Sequence, residues 1–222
     1  MTFNKDTEFI LNRFSHELRN PLTTLYSTIQ FLELKHPEVK DFQYWSTISQ
    51  DIEYINLLID DLSNYAKSEH LNLTTFNLHS LLEQISLSFA ASIASSKIEY
   101  TSKIDTSIHQ ITGDKTKLQE VFLNLLKNAY EAASPDKAIF FTATQHDDTI
   151  TISIRDTGCG IPQEQLSTIF EPYVTYKKKG NGLGLPICKQ IIQAHGGELT
   201  VSSSEGVGTV FTVLLKTHNI DY

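Results

Sequence analysis

Leu11, Leu18, Leu25 and Leu32 recur every seven residues, with Phe14, Leu22 and Ile29 at alternate positions. That spacing predicts one long amphipathic helix from Phe3 to Lys35. His36-Pro37-Glu38 ends it, because proline cannot continue a helix interior. Trp45, Ile48, Ile52, Ile55, Ile59, Leu62 and Ala66 then step by three and four, the mark of a heptad seam on a second helix. Two helices joined by a short break make an antiparallel hairpin. One hairpin cannot cover both seams, so the pattern predicts a dimeric four-helix bundle formed by two chains.

From Lys67 to Asn72 the periodicity lapses into a polar linker, which divides the chain into residues 1–70 and 71–222. Leu73 to Phe76 reads as a short strand, and Asn77 as the cap of a helix reaching about Ala94. Ile98 to Ile104 is strand-like, and Asp114 caps a strongly apolar helix from Lys115 to Ala133. Ala138 to Thr144 and Thr149 to Asp156 alternate as a hairpin around His146-Asp147-Asp148. A glycine-rich stretch from Gly158 to Gly184 leads into a helix stopped at His195-Gly196-Gly197. Leu199 to Ser203 and Val207 to Leu215 close the chain as strands. Helices mixed with a largely antiparallel sheet make this half an α+β two-layer sandwich.

Composition narrows the function. The net charge of −8 argues against bulk nucleic-acid binding, which needs a basic face, and Lys177-Lys178-Lys179 is the one local exception. Cys159 and Cys188 form neither a disulfide framework nor paired metal ligands, and they fit a reducing cytoplasm. No apolar run approaches the ~20 residues of a membrane helix. The segment is thus expected to make no membrane contact itself, with any sensor or membrane anchor lying outside it.

Four patches carry chemistry. In Phe14-Ser15-His16-Glu17-Leu18-Arg19-Asn20-Pro21-Leu22, His16 lies ~200° around the helix from both Phe14 and Leu18 and so points away from the seam. A solvent-facing imidazole is a usable nucleophile, and Glu17 beside it can take its Nδ1 proton. Asn20 follows one turn later on the same face. Taken alone, the motif reads equally as a surface histidine on a charged face. A zinc-protease reading fails because the fifth residue, Asn20, is not a second histidine.

On the helix after Asp114, Glu120, Asn124 and Asn128 are spaced by four and Glu131 follows by three, giving one polar stripe on an otherwise apolar helix. It reads as a pocket wall whose oxygens suit Mg²⁺, or simply as a solvated face. Asp156-Thr157-Gly158-Cys159-Gly160-Ile161-Pro162 follows a strand. Its carboxylate can accept from an exocyclic amine, and its glycines let backbone pass close to a flat ring, though a plain glycine turn would look similar. Gly180-Asn181-Gly182-Leu183-Gly184-Leu185-Pro186 opens a helix and permits a nest of N–H groups for phosphate oxygens. The segment before it, Glu164 to Gly180, reads as a mobile lid.

In their order along the chain these residues resemble a sensor histidine kinase: a histidine-containing dimerisation and phosphotransfer hairpin, then an ATPase domain of the gyrase, chaperone, histidine kinase and MutL superfamily with its Bergerat-type fold. His16-Glu17-Leu18-Arg19-Asn20-Pro21-Leu22 resembles the H box, and Asn124-Leu125-Leu126-Lys127-Asn128-Ala129 the N box. Asp156 to Ile161 and Gly180 to Leu185 resemble the two glycine boxes. Ile169-Phe170-Glu171-Pro172-Tyr173 resembles the phenylalanine box, and Gly206 to Phe211 the last strand signature.

The resemblance implies that Mg-ATP phosphorylates His16 with Glu17 as base, and that the phosphoryl group passes to an aspartate on a response-regulator receiver domain. It further implies that Asn128 ligates Mg²⁺ with Asn124 nearby, that Asp156 receives the adenine amino group, and that Gly160, Gly182 and Gly184 shape the nucleotide cradle. Gly158, Ile161, Gly180, Leu183 and Thr209 complete the implied nucleotide set. A homodimer in the cytoplasm, free or as part of a membrane-anchored sensor, is implied as well. Many relatives carry threonine where this chain has Asn20 and a basic residue where it has Glu131. Asn20 keeps a phosphatase reaction plausible, because an amide can orient a water, and the combination is similar to kinases of the sporulation type.

Overall fold

The computed structural model describes residues 5–177 and 180–217, with side chains from Arg13 onward. The expected helix start at Phe3, the side chain of Leu11, and Lys178 and Lys179 of the lysine run lie outside the described residues. The chain separates into two compact units, Met1–Lys67 and Ser68–Tyr222.

In the first unit α1 spans Lys5–Lys35 and runs on through Pro21. Thr23, Thr24 and Thr28 donate their hydroxyls to the carbonyls of Arg19, Asn20 and Thr24 one turn back, so these side chains are satisfied within the helix. A 3-10 turn at Pro37–Asp41 reverses the chain into α2, Trp45–Lys67. The turn is fastened by Glu33. Its carboxylate accepts from Trp45 Nε1 at 2.9 Å and pairs with Lys40 at 3.4 Å, and the tryptophan bond leads in holding that carboxyl below its usual range.

The heptad residues divide between two faces. Leu22, Ile29, Ile52 and Ile59 form the hairpin's own core, with Leu18, Tyr26 and Trp45 packed against it. Phe14, Leu25, Ile48 and Ile55 stay between 41% and 53% exposed. The sequence pattern treats each seam as one surface. The structure shows that Ile52 and Ile59 bind the two helices of one hairpin, whereas Ile48 and Ile55 face outward.

The second unit is a two-layer α+β sandwich. Strand β1 (Thr74–Asn77) pairs antiparallel with β3 (Gln110–Gly113), a strand the sequence reading lacked. Between them lie α3 (Leu78–Ser92), capped by Asn77 Oδ1 on Ser80 N–H, and β2 (Glu99–Ile104). Helix α4 (Lys115–Ala132) is capped by Asp114, which accepts from the N–H groups of Thr116 and Lys117. Strands β4 (Ala138–His146) and β5 (Thr149–Asp156), helix α5 (Gly184–Ala194), and strands β6 (Glu198–Ser204) and β7 (Gly208–Lys216) follow.

The main sheet has the order β2-β4-β5-β7-β6, antiparallel except for the β2–β4 pair. Strict alternation sends Ile139, Phe141, Ile150, Ile152, Ile154, Phe211, Val213 and Leu215 into the core. There they meet the apolar face of α4, with the rings of Phe122 and Phe141 6.3 Å apart. The same period of two places Asp156 and Thr209 on the buried face at neighbouring strand ends.

Candidate functional site

On α1, His16, Glu17 and Asn20 are all exposed. Leu18 and Leu22 turn inward to the hairpin core, so the imidazole lies off the packed face, as the helical spacing requires. Glu17 Oε1 accepts from Arg13 Nε at 2.9 Å, a contact the sequence reading did not include. Arg19 reaches across the hairpin to Asp60 at 2.7 Å.

The other expected residues lie in the second unit, and four elements bring them together. Helix α4 buries Leu118, Val121, Phe122, Leu125, Leu126 and Ala129. The four-residue stripe of Asn124 and Asn128 is therefore left half-buried at the edge of that face. Asn124 turns toward α5: its Oδ1 is the nearest atom to the place a Cβ on Gly184 would occupy, at 3.9 Å, and it hydrogen-bonds the Cys188 thiol. Cys188 is fully buried, and burial pushes its thiol strongly up, so it is an inert core residue.

Asp156 ends β5 only 3% exposed. Burial raises its carboxyl above the usual range, against the pull of the Gly158 and Thr209 N–H groups and the charge of Lys177. Its Oδ1 accepts from Gly158 N–H at 2.8 Å. The loop then folds back on the end of α4, where Cys159 N–H donates to Ala132 O at 3.2 Å. Gly160 has φ +70°, and a Cβ there would stand 2.1 Å from Ser204 O, so only glycine fits. Ser203 supports this wall from β6, accepting from Ile161 N–H at 2.8 Å and bonding Thr209 Oγ1 at 3.0 Å.

Leu183 precedes α5, with its N–H donated to Asn181 Oδ1 at 3.1 Å. Gly182 has φ +70° and accepts from Tyr173 N–H, which ties the helix start to the segment before it. The Cβ position of Gly180 lies 2.7 Å from Thr175 Oγ1.

Lys177 is the residue that sequence reasoning underused. It was visible only as part of a basic run. Its Nζ donates to Asn128 Oδ1 at 2.6 Å and to Glu131 Oε2 at 2.5 Å. An ammonium thus rests on the amide oxygen that the resemblance assigns to a metal, so that oxygen is already turned to face a cation. Amide and carboxylate oxygens suit Mg²⁺, which takes much of its coordination from water and phosphate rather than from a protein cage. Among the described residues no group of three or more His, Cys, Asp or Glu is arranged to hold a metal ion. A cavity of about 360 Å³ on α1, lined by Thr23, Thr24, Ser27, Thr28 and Phe31, holds none of the expected site residues. Among the described residues no helix is long and apolar enough to cross a membrane.

Both halves of the chain have counterparts among known proteins. Residues 9–71 match the family described as the His Kinase A (phospho-acceptor) domain. Residues 113–219 match the family described as Histidine kinase-, DNA gyrase B-, and HSP90-like ATPase. The chain is 36% identical over 203 residues to sporulation kinase C of Bacillus subtilis (strain 168), covering 90% of this chain and 47% of that protein. The chain thus spans less than half the length of that curated relative. The catalytic domain of histidine kinase ThkA superposes with a TM-score of 0.60 at 31% identity, covering 66% of this chain and 96% of the other. Histidine kinase ThkA in complex with response regulator protein TrrA gives a TM-score of 0.66 at 28% identity, covering 93% of this chain and 60% of that one. With a phospho-acceptor domain followed by an ATPase domain, this chain belongs to the sensor histidine kinase family.

Proposed function

We propose that the chain transfers the γ-phosphoryl group of Mg-ATP to Nε2 of His16 and then to an aspartate on a response-regulator receiver domain. The observation that carries this reading is an exposed histidine on a phospho-acceptor domain, in one chain with a second unit that gathers Asn124, Asn128, Asp156 and Thr209. Asp156 would accept the adenine amino group. Gly158, Gly160 and Ile161 would form the wall beside the ring, and Gly180, Gly182, Leu183 and Gly184 would offer backbone to the phosphates. Asn128, with Asn124 near it, would hold Mg²⁺, which would neutralise charge developing on the phosphates.

In the transfer, the Nε2 lone pair of His16 forms the N–P bond while the bond from γ-phosphorus to the bridging oxygen breaks, and ADP leaves. The Nδ1 proton passes to Glu17. A carboxylate accepts at several lone-pair sites, so the Arg13 bond to Oε1 does not exclude this role. Positioning and electrostatics supply most of the acceleration in such a transfer. We place the reaction in the cytoplasm, with residues 1–70 as the dimerisation and phosphotransfer domain, 71–222 as the ATP-binding domain, and two chains joined in a four-helix bundle. The outward Leu25, Ile48 and Ile55 support that dimer. The complex of ThkA with its regulator supports the choice of a receiver domain as acceptor.

Incubation with γ-labelled ATP tests the reading. Label that stays through alkali and is lost in acid marks phosphohistidine. An acid-stable product would indicate a serine-directed kinase, and no incorporation at all would indicate a nucleotide-binding scaffold.

A further inference from the structure

Lys177 joins two parts of the second unit. The segment Glu171–Lys177 is otherwise held by local bonds: Val174 N–H to Glu171 O, Lys177 N–H to Thr175 Oγ1, Tyr176 hydroxyl with Thr168 Oγ1, and Tyr173 N–H to Gly182 O. Tyr173 and Tyr176 are more than half exposed. Among the described residues, the Lys177 ammonium carries this segment to α4, landing on Asn128 and Glu131 together. Glu131 sets a carboxylate one turn beyond Asn128, where it attracts and retains that ammonium.

A Mg²⁺ ion binds oxygen at about 2.0–2.1 Å. An ammonium already 2.6 Å from the same Asn128 Oδ1 cannot remain there beside it, because two cations so close repel and compete for one acceptor. We propose that Lys177 is the resident cation of this site: it competes with Mg²⁺ for Asn128, and its departure couples metal-nucleotide binding to release of the Glu171–Lys177 segment from α4. The inference rests on the nucleotide reading given above and adds to it the residue that sets the metal requirement.

The Lys177 and Glu131 side chains are 47% and 39% exposed, so the latch is weak and reversible. Its loss therefore shifts the metal requirement by about two- to fivefold and not by orders of magnitude. The test is calorimetric ADP binding at a series of free Mg²⁺ concentrations, a readout independent of phosphoryl transfer. Lys177→Met should lower the Mg²⁺ concentration that half-saturates ADP binding by that factor. Lys177→Arg, which keeps the charge, should stay closer to the wild type. An unchanged or increased requirement in Lys177→Met overturns the proposal, an increase meaning that Lys177 instead holds phosphate. A wild-type chain that binds no adenine nucleotide in the presence of Mg²⁺ overturns the nucleotide reading, and this inference with it.

Discussion

Asp156 and Thr209 face each other across the β5–β7 ladder, each 3% exposed, and the Thr209 N–H donates to the Asp156 carboxylate. Burial holds that carboxyl above its ordinary range. A carboxyl raised in the fold favours folding while protonated, and that contribution disappears as pH rises through its folded pKa. At neutral pH the buried charge therefore costs stability, which is the pattern of a group retained for binding. Asp156→Asn keeps an acceptor oxygen for Gly158 and removes the charge. It should leave the nucleotide-free protein as stable as wild type or more so at pH 7.5, and weaken ADP binding about tenfold or more. Thermal melting and calorimetry on one preparation check both halves.

His195 adds a pH dependence of its own to the second unit. Its Nε2 accepts from Asp114 N–H at 2.9 Å, and its Nδ1 lies 2.7 Å from Ile191 O, so the neutral Nδ1–H tautomer satisfies both. Burial pushes the imidazole below its ordinary value of 6.5 despite the Ile191 bond. A depressed pKa gives stability that is complete above the unfolded value and is lost as pH falls through the folded one. Stability should therefore decline below pH 6.5. His195→Phe should cost about 1–3 kcal/mol at pH 8, because Asp114 N–H is left unpaired, and should flatten the slope between pH 7 and 5. Asp114 itself acts in a lower window. Burial opposes it, but the N–H groups of Asn72, Lys117 and Thr116 and the Lys117 charge hold its carboxyl below 3.8, so its contribution is lost only on further acidification.

The division of the heptad residues makes assembly testable. Ile52 and Ile59 are 7% and 4% exposed inside one hairpin, so charging them should unfold the hairpin itself. Ile48 and Ile55, 46% and 41% exposed, can be charged without entering that core. Ile48→Asp with Ile55→Asp should give a helical monomer by sedimentation, where wild type sediments as a dimer. A wild-type monomer at tens of micromolar, or an unaltered dimer in the double variant, would count against the bundle.

Most elements were legible in the sequence because their signals are local. Asn77 and Asp114 announce the caps they make, and the alternation from Ile150 to Ile154 announces a half-buried strand. β3 was missed because Gln110–Gly113 is four residues long and gains meaning only from pairing with β1, far back in the chain. The N box asparagines could be read as a stripe. The cation resting on Asn128 could not, because Lys177 lies 49 residues away and nothing in a lysine run indicates its partners. Heptad spacing likewise marks a seam without saying which of its members meet inside one hairpin.

Asn20 should separate the forward from the reverse reaction. It is exposed one turn beyond His16, with its backbone carbonyl accepting from Thr24 at 3.2 Å. An amide there can hold a water through one donor and one acceptor, but it lies too far along the helix to activate the imidazole. Asn20→Ala should retain autophosphorylation and lose most phosphatase activity toward a phosphorylated receiver domain. Parallel loss of both rates with a lower melting temperature would instead mark Asn20 as a structural residue beside Pro21.

The whole proposed transfer depends on His16 carrying the phosphoryl group. The most direct measurement is peptide mass spectrometry at neutral or alkaline pH after incubation with Mg-ATP, comparing wild type with His16→Gln. Wild type should carry phosphate on the peptide containing His16, and the His16→Gln chain should carry none anywhere although that variant still binds ADP. Phosphate on another residue, or undiminished incorporation in His16→Gln, would contradict it.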